Sequence, residues 1–126
     1  MEKGKEYDEL GELEFDGIYL DGEMWTGKGK KYYDGYKLQF EGELLNGKMS
    51  KGKFYDKFGN LRFEGEFLNE RFWNGKIKEY YWASNKLFFE GEYLHGKKNG
   101  KGKEYNENGE LIFEGEYLNG ERKRSK

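Results

Sequence analysis

Residues 100–120 read GKGKEYNENGELIFEGEYLNG, and this stretch contains the pattern that decides the fold. In its second half, Phe113, Gly115 and Tyr117 alternate with glutamates, a period of two residues that is typical of a β-strand. The connector Asn106–Gly109 is rich in Asn and Gly, which tolerate the positive φ angles of tight turns. The stretch therefore predicts two short antiparallel strands joined by a turn, which is a β-hairpin.

The same hairpin pattern recurs along the whole chain. Variants of the string FEGEYLNG start at Phe15, Phe40, Phe63, Phe89 and Phe113. Each is preceded by a variant of GKGKEY, so the chain divides into five units of similar length. The predicted units are 3–22, 26–47, 50–70, 74–96 and 100–120. Together they form one repeat domain over residues 1–121, followed by a basic tail at 122–126 that contains Arg122, Lys123, Arg124 and Lys126.

Composition narrows the class of protein. The 126 residues include 20 Gly and no Val, Pro or Cys, and aromatic residues make up 19% of the chain against 34% for all hydrophobic residues. A core of this chain must therefore use aromatic rings packed on bare backbone, which favours twisted sheet over helices. The abundance of aromatic residues also argues against disorder, although 38% of the residues are charged.

Charge and segment patterns exclude several functions. The net charge of −2 gives no reason to expect a nucleic-acid partner. Without Cys there is no disulfide framework and no thiolate metal site. No stretch has the roughly 18 apolar residues of a membrane-spanning helix, and the N-terminus lacks the apolar run of a signal peptide. We therefore expect a cytoplasmic protein that is either soluble or bound at the periphery of a membrane.

The pattern also predicts a strand register. If Asn106–Gly109 is a four-residue loop, each ring falls opposite a glycine and each acid opposite a lysine. The predicted ring and glycine pairs are Phe15 with Gly4, Phe40 with Gly29, Phe63 with Gly52, and Phe113 with Gly102. The predicted charge pairs are Asp16 with Lys3, Glu41 with Lys28, Glu64 with Lys51, and Glu114 with Lys101. This register leaves one mismatch without an explanation, because it places Lys53 opposite Arg62.

The fourth unit departs from the other four. Ile77 stands where the register expects a glycine, and Trp82-Ala83-Ser84 replaces the usual turn residues. The sequence therefore predicts a bulge or a longer turn in this unit.

The glycine spacing resembles that of the MORN (membrane occupation and recognition nexus) repeat, whose motif is Tyr-x-Gly-x4-Gly-x3-Gly-x-Gly-x6-Gly. Phe89 stands in the place of the leading Tyr, and the glycines follow as Gly91, Gly96, Gly100, Gly102 and Gly109. The Asn-Gly-x-Leu stretch before Phe113, which is Gly-x-Leu before Phe15 and Phe63, also resembles the bacterial MORN-variant repeats. The resemblance covers residues 3–120, with Thr26 and Glu70 as departures. It implies an all-β fold: a single-layer, elongated, twisted antiparallel sheet of about five stacked β-hairpins that serves as a scaffold for proteins or at membranes.

Candidate catalytic groups are better explained by the repeat. His95 occupies a loop position that is Asp21 or Asn in other units, so we interpret it as a turn residue. Glu90 and Glu92 could suggest paired catalytic carboxylates, but such acids recur in nearly every unit and an active site is ordinarily built once. The Gly-x-Gly strings do not precede a helix and so fail as a dinucleotide motif. We predict no catalytic residue, cofactor or metal.

A single-layer sheet leaves its aromatic face without a second layer, so we expect a partly open groove of aromatic residues that holds a partner protein. Trp25, Trp73 and Trp82 fall outside the repeating frame and are further candidates for partner contact. A homodimer joined through a sheet edge or face is also expected. The candidate interaction residues are Tyr19, Trp25, Phe67, Trp73, Trp82, Tyr93 and Tyr117.

Two alternative functions remain open. Lysines in the loops and first strands could bind anionic phospholipid headgroups. These candidate anion contacts are Lys48, Lys51, Lys97, Lys98 and Lys101. A choline- or glucan-binding hairpin repeat ranks last, because that class needs regularly recurring Trp and only three irregular Trp occur here.

Overall fold

The protein forms one open antiparallel sheet in which strand order follows chain order. The computed structural model describes residues 1–34 and 36–123, and all the regular secondary structure in these ranges is β. The strands are β1 (Glu2–Tyr7), β2 (Leu13–Leu20), β3 (Glu23–Tyr32), β4 (Leu38–Leu45), β5 (Lys48–Tyr55), β6 (Leu61–Leu68), β7 (Arg71–Tyr80), β8 (Leu87–Leu94), β9 (Lys97–Tyr105), β10 (Leu111–Leu118) and β11 (Glu121–Arg122). This confirms the predicted all-β, single-layer, elongated and twisted sheet of stacked hairpins.

The turns within the hairpins are closed by side chains that bond to the backbone. The Asn106 Oδ1 atom accepts hydrogen bonds from the N–H groups of Asn108 at 2.9 Å and Glu110 at 3.0 Å. Asp8 and Asp56 accept the corresponding pairs of bonds in their units. Asn and Asp side chains favour such turns because their oxygen atom, in place of a backbone carbonyl, accepts the bond from the N–H group two residues ahead.

The predicted register is wrong by two residues in each of the four hairpins for which it was predicted. The Asn106 N–H donates to the Glu110 carbonyl, so the loop has three residues and not four. A β-bulge between Leu111 and Phe113 then adds one more residue to the second strand. As a result Gly102 faces Gly115, and the ring predicted to face it, Phe113, faces Glu104.

The correct register removes the charge mismatch that the predicted one contained. Lys53 faces Glu64, and Arg62 is the bulge residue, whose Nε donates to the Lys78 carbonyl at 3.0 Å. The opposite-charge ladder exists with different partners from those predicted. Its cross-strand pairs include Lys5 with Asp16, Lys30 with Glu41, Lys53 with Glu64, and Lys103 with Glu114.

Glycines face glycines across most of the sheet and form a row perpendicular to the strands, which we call the glycine row. A Cβ atom built on Gly17 would lie 2.7 Å from the Gly27 Cα atom, so no larger residue fits at this contact. The row shifts by two residues at β3 and again at β7. Its members are Gly4, Gly17 and Gly27; then Gly29, Gly42, Gly52, Gly65 and Gly75; then Gly91, Gly102 and Gly115, with Ile77 at the start of the last segment.

The glycine row explains how a single layer buries a core. A Cβ built on Gly102 would lie 2.9 Å from the Phe89 ring and 2.7 Å from the Tyr117 ring, which come from the two flanking strands. These two rings meet above β9 with centroids 5.2 Å apart. In the same way, Phe15 and Leu44 meet above Gly29. Side chains of even-numbered strands thus lie flat and cover one another across the odd-numbered strand between them.

The prediction that aromatic rings pack on glycines is therefore confirmed, but with other partners. Phe15 covers Gly17 and Gly29, and Phe40 covers Gly42 and Gly52. The predicted partner of Phe15, Gly4, instead contacts the Tyr19 ring. The core consists of Phe15, Phe40, Leu44, Met49, Phe63, Phe67, Ile77, Phe89 and Tyr117.

Units two and four share features that the other units lack. Strands β3 and β7 are ten residues long, and each contains a tryptophan, Trp25 or Trp73, at a bulge. These tryptophans are 48 residues apart, as are Tyr33 and Tyr81. The prediction that Trp25 and Trp73 fall outside the repeating frame is wrong, because they occupy equivalent strand positions in a longer period of two units.

The turn of the fourth unit is longer by one residue, as predicted. The Tyr81 N–H donates to the Lys86 carbonyl, whereas in the third unit Asp56 pairs with Asn60. None of the described residues lies in a helix long and apolar enough to cross a membrane.

Candidate interaction surfaces

The predicted aromatic groove is only partly open. Phe67 and Tyr117, two of the candidate interaction residues, are only 7% and 5% exposed and belong to the core, because side chains that lie flat over glycines cover one another. Phe67 contacts the Phe40 ring edge-on at 5.5 Å. Trp73 and Tyr93, by contrast, line an open recess of about 540 Å³ together with Phe54 and Phe72.

The other aromatic candidates differ in exposure. Tyr19 and Tyr93 are half-buried and pack against the core. Trp25 is half-buried with its ring near Gly47, and Trp73 lies in the same way against Gly96. Only Trp82 is fully exposed, at 96%.

His95 is a turn residue, as the sequence predicted. Its φ angle of 52° is in the left-handed region, and its N–H donates to the Asn74 Oδ1 atom at 2.8 Å. Its ring lies 5.3 Å from the Trp73 ring. These contacts give it a role in closing the turn against β7.

The charged face of the sheet carries alternating signs. Across the strands, Lys30, Glu41, Lys53 and Glu64 follow one another in a single row of cross-strand partners. A shallow groove of about 440 Å³ runs beside this row, with glycine backbone as its floor. Because each cation has acidic neighbours, the groove presents no extended patch of one sign.

The lysines proposed as anion contacts do not form one site. Lys48, Lys51, Lys97 and Lys101 are exposed, but Lys51 faces Glu66 and Lys101 faces Glu116 across the sheet. The structure does not support the prediction that Lys98 contacts an anion. Its Nζ atom lies 2.8 Å from the Glu79 carboxylate and 4.1 Å from the centroid of the Phe89 ring, so it is part of the packed structure.

An exposed apolar row that sequence reasoning missed lies at the tips of the hairpins. Four successive turns each present one large apolar side chain, and we call these four residues the tip row. They are Leu10 (88% exposed), Tyr36 (92%), Phe58 (73%) and Trp82 (96%). All four turns join an odd-numbered strand to the next even-numbered one. They therefore lie on the same side of the sheet, at the ends of the strands.

Hydrogen bonds join neighbouring turns of the tip row. The Tyr33 hydroxyl donates to the Tyr55 carbonyl at 2.7 Å, and the Asn60 amide donates to Asn85 at 2.6 Å. Neighbouring turns are two strands apart, which sets their spacing at about 9.6 Å. A recess of about 340 Å³ between the third and fourth turns is lined by Phe58 and Trp82 among others. The second, third and fourth turns are therefore connected to one another.

The signal for this row was present in the sequence. Turn positions usually carry polar residues or Gly, because they face water. Leu10, Phe58 and Trp82 each fall in a predicted turn where a polar residue would serve the fold equally well. Trp82 was predicted as a candidate, and the other three tip residues were missed because the repeating pattern of the strands does not extend into the turns.

At the C-terminal end, a charged cluster completes the core. Glu104 is 9% exposed and accepts hydrogen bonds from Tyr117 and from Arg122, whose Nη2 atom is 2.8 Å away. The Arg122 hydrogen bond is the main cause that lowers the pKa of Glu104, against a contribution from burial that raises it. Burial and the hydrogen bond to Glu104 raise the pKa of Tyr117 to about 12.

The predicted basic tail therefore begins too early. Arg122 lies in β11 with its guanidinium 4.4 Å from the Phe113 ring, and the Lys123 N–H donates to the Glu116 carbonyl at 2.7 Å. Residues 124–126 of the predicted tail lie outside the described residues.

The lowered pKa of Glu104 predicts acid sensitivity. A carboxyl group with a lowered folded-state pKa stabilises the fold above its ordinary pKa of about 4.3, and this contribution is lost as pH falls through the lower value. We expect Glu104→Gln to lose stability at pH 7 by about 1–2 kcal/mol and to show a smaller further loss between about pH 6 and pH 3 than the wild type. Urea unfolding across this pH range measures both effects. Glu107→Gln, in the exposed turn, is the control and should follow the wild-type curve; identical curves for Glu104→Gln and wild type would contradict the assignment.

Comparison with known proteins identifies no relative. No family model matches the chain, and no curated protein or solved structure matches it either. The resemblance to MORN repeats therefore stays a prediction that rests on the glycine spacing, while the fold stands on the strand pairing described above.

Proposed function

We propose that this protein is a non-enzymatic repeat scaffold that binds a partner protein through the tip row. The observation that carries the proposal is the exposure of four large apolar side chains, between 73% and 96%, in the turns of four successive hairpins. Neighbouring exposed apolar groups of this kind on a highly charged surface are typical of interaction sites. We place the protein in the cytoplasm as part of the same proposal.

The structure of the turns supports a binding role over a structural one. The backbone of the third turn is fixed by Asp56, which accepts bonds from the N–H groups of Phe58 and Asn60. The Phe58 side chain takes no part in these bonds and leaves 73% of its surface to solvent. An apolar partner that covers Phe58 and Trp82 would remove this surface from water. Such burial stabilises a complex by about 25 cal/mol per Å² of apolar surface.

The partner that suits this surface is an elongated one. The tips are spaced at about 9.6 Å, so a helix or a strand that lies along the tip row can contact two or three of them at once. Engagement of several tips by one partner raises its affinity without any single strong contact. A scaffold of repeated units gives such an extended surface at small cost in chain length.

Substitution at the tips tests the proposal without disturbing the sheet. A library of displayed helical and extended peptides is selected on the wild-type protein, and binding of the selected peptides is measured by calorimetry. We expect the double variant Phe58→Ser with Trp82→Ser to weaken binding at least roughly tenfold, since hot-spot aromatics contribute about 2 kcal/mol or more each. Its circular dichroism and melting temperature should match those of the wild type.

The matched control changes a turn that carries no apolar tip. Asn108→Ser, in the exposed turn of the fifth unit, should leave peptide binding unchanged. Selected peptides that bind the double variant as tightly as the wild type would contradict the tip-row proposal. Co-sedimentation with vesicles that contain acidic phospholipid tests the alternative function in parallel, and salt-sensitive binding lost in Lys48→Glu with Lys97→Glu would favour the lipid interpretation.

A further inference from the structure

The geometry points to a second binding surface that is independent of the tip row: the outer edge of β10 accepts β1 of a second copy of this chain, so that copies join end to end. The observation behind it is a repeated pair of strands. Residues 3–7 read KGKEY, identical to residues 101–105, and residues 113–118 read FEGEYL, identical to residues 89–94. Residues 89–94 and 101–105 already pair with each other in the structure, as parts of β8 and β9.

The β8–β9 contact shows what the junction between copies would be. There Phe89 faces Glu104, Glu90 faces Lys103, and Gly91 faces Gly102. By identity of sequence, the junction places Phe113 opposite Glu6, Glu114 opposite Lys5, and Gly115 opposite Gly4 of the second copy. Glu116 then lies beside Lys3. The junction therefore continues both the glycine row and the charge ladder.

One part of this contact, the cation over the phenylalanine ring, is already present within one chain. At β8, the Lys98 Nζ atom lies over the Phe89 ring at 4.1 Å, and the Arg122 guanidinium lies over the Phe113 ring at 4.4 Å in the same way. Phe89 is fully buried because β9 covers its other side, whereas Phe113 is only half-buried. A strand with the sequence of residues 101–105 would cover Phe113 in the same way, and residues 3–7 of β1 have this sequence.

Both edges are accessible in the described part of the chain. Strand β1 pairs with β2 alone among the described strands. On the outer edge of β10, β11 pairs with Tyr117 and Leu118, and the Lys123 N–H donates to the Glu116 carbonyl. The segment from Phe113 to Gly115 therefore has a partner strand on one side only among residues 1–34 and 36–123. Such an edge offers unpaired backbone N–H and C=O groups to another strand.

One hydrogen bond near the β8–β9 contact is not reproduced at the junction between copies. The Tyr81 hydroxyl donates to the Tyr105 carbonyl at 2.7 Å, and the residue at the position of Tyr81 in the fifth unit is Asn106. The junction is thus weaker than the contact within the chain, and association should depend on concentration. Because β10 joins β1, the contact is head-to-tail and does not close on itself, so it generates open chains of copies.

Charge reversal on each side of the junction provides the test. Sedimentation velocity on the wild type should show a mass that rises with concentration. We expect Lys3→Glu with Lys5→Glu, and separately Glu114→Lys with Glu116→Lys, to weaken association roughly tenfold or more, because two opposed pairs change from attraction to repulsion. An equimolar mixture of the two variants should associate again, since each new edge is complementary to the other variant. A merely destabilised fold could not produce this recovery.

A peptide of residues 1–8 provides a measurement that does not depend on variants of the whole protein. In excess, it should lower the association of the wild type, and the same peptide with Lys3→Glu and Lys5→Glu should not. A wild type of constant monomer mass at all concentrations, or no recovery in the mixture, would overturn the proposal. The double variant Phe58→Ser with Trp82→Ser should assemble as the wild type does, so the outcomes for the edge and for the tip row are separable.

Discussion

Gly42→Ala is expected to destabilise the protein by about 3–5 kcal/mol, from the combined cost of overpacking and backbone strain. A Cβ atom at this position would lie 2.6 Å from the Gly52 Cα atom, and the obstacle is backbone that cannot rotate away. The φ angle of Gly42, 159°, is also one that L-residues rarely adopt. Since domains are stable by about 5–15 kcal/mol, the loss removes a large share of the total. Urea unfolding followed by tryptophan fluorescence measures it.

The control for this prediction is a glycine with a similar sign of φ but open surroundings. Gly59 has a φ of 88°, and a Cβ there would meet no atom within 4 Å. We expect Gly59→Ala to cost about 1 kcal/mol, from the backbone conformation alone. Equal losses for the two variants would show that strain, and not the contact between neighbouring glycines, sets the requirement for glycine.

Phe40→Ala is expected to destabilise the protein by about 3–5 kcal/mol, because it removes a fully buried ring and leaves a cavity. The ring lies over Gly42 and Gly52, which have no side chains to move into the space. Its other main neighbour is Phe67, whose centroid is 5.5 Å away. Thermal and urea unfolding should both report the loss.

Phe58→Ala is the matched control, since it removes the same side chain from an exposed turn. We expect a change within about 0.5 kcal/mol of the wild type, as for most surface substitutions. A small effect of Phe40→Ala would contradict the conclusion that rings lying over the glycine row form the core.

The sequence predicted the elements of this fold well and their pairing poorly. Alternation of side chains identified both strands of every hairpin, and the Asn and Gly connectors identified the turns. The register failed because alternation does not reveal a bulge: Ile112 between Leu111 and Phe113 is apolar and breaks no pattern. The opposed Lys53 and Arg62 in the predicted register was the one available sign of the error, since like charges rarely face each other across a sheet.

The interaction surface was predicted less well than the fold. The aromatic residues of the strands were expected to be exposed, and Phe67 and Tyr117 are buried. Burial here depends on residues two strands apart meeting over a glycine, which is a property of the assembled sheet and not of any local stretch. Exposure at the turns, by contrast, follows from local sequence, although Trp82 was identified only because it falls outside the repeating frame.

The glycine row has a consequence for how the ribbon can change length. Each ring is covered by a side chain from the next even-numbered strand, and the extensive contacts join strands that are consecutive in the chain. Stability then behaves as a sum of local terms along one dimension, without a central nucleus on which all units depend. Duplication or deletion of the 48-residue pair of units leaves every remaining neighbour relationship intact. An ancestral gene could thus lengthen or shorten this array in whole steps while each intermediate still folded.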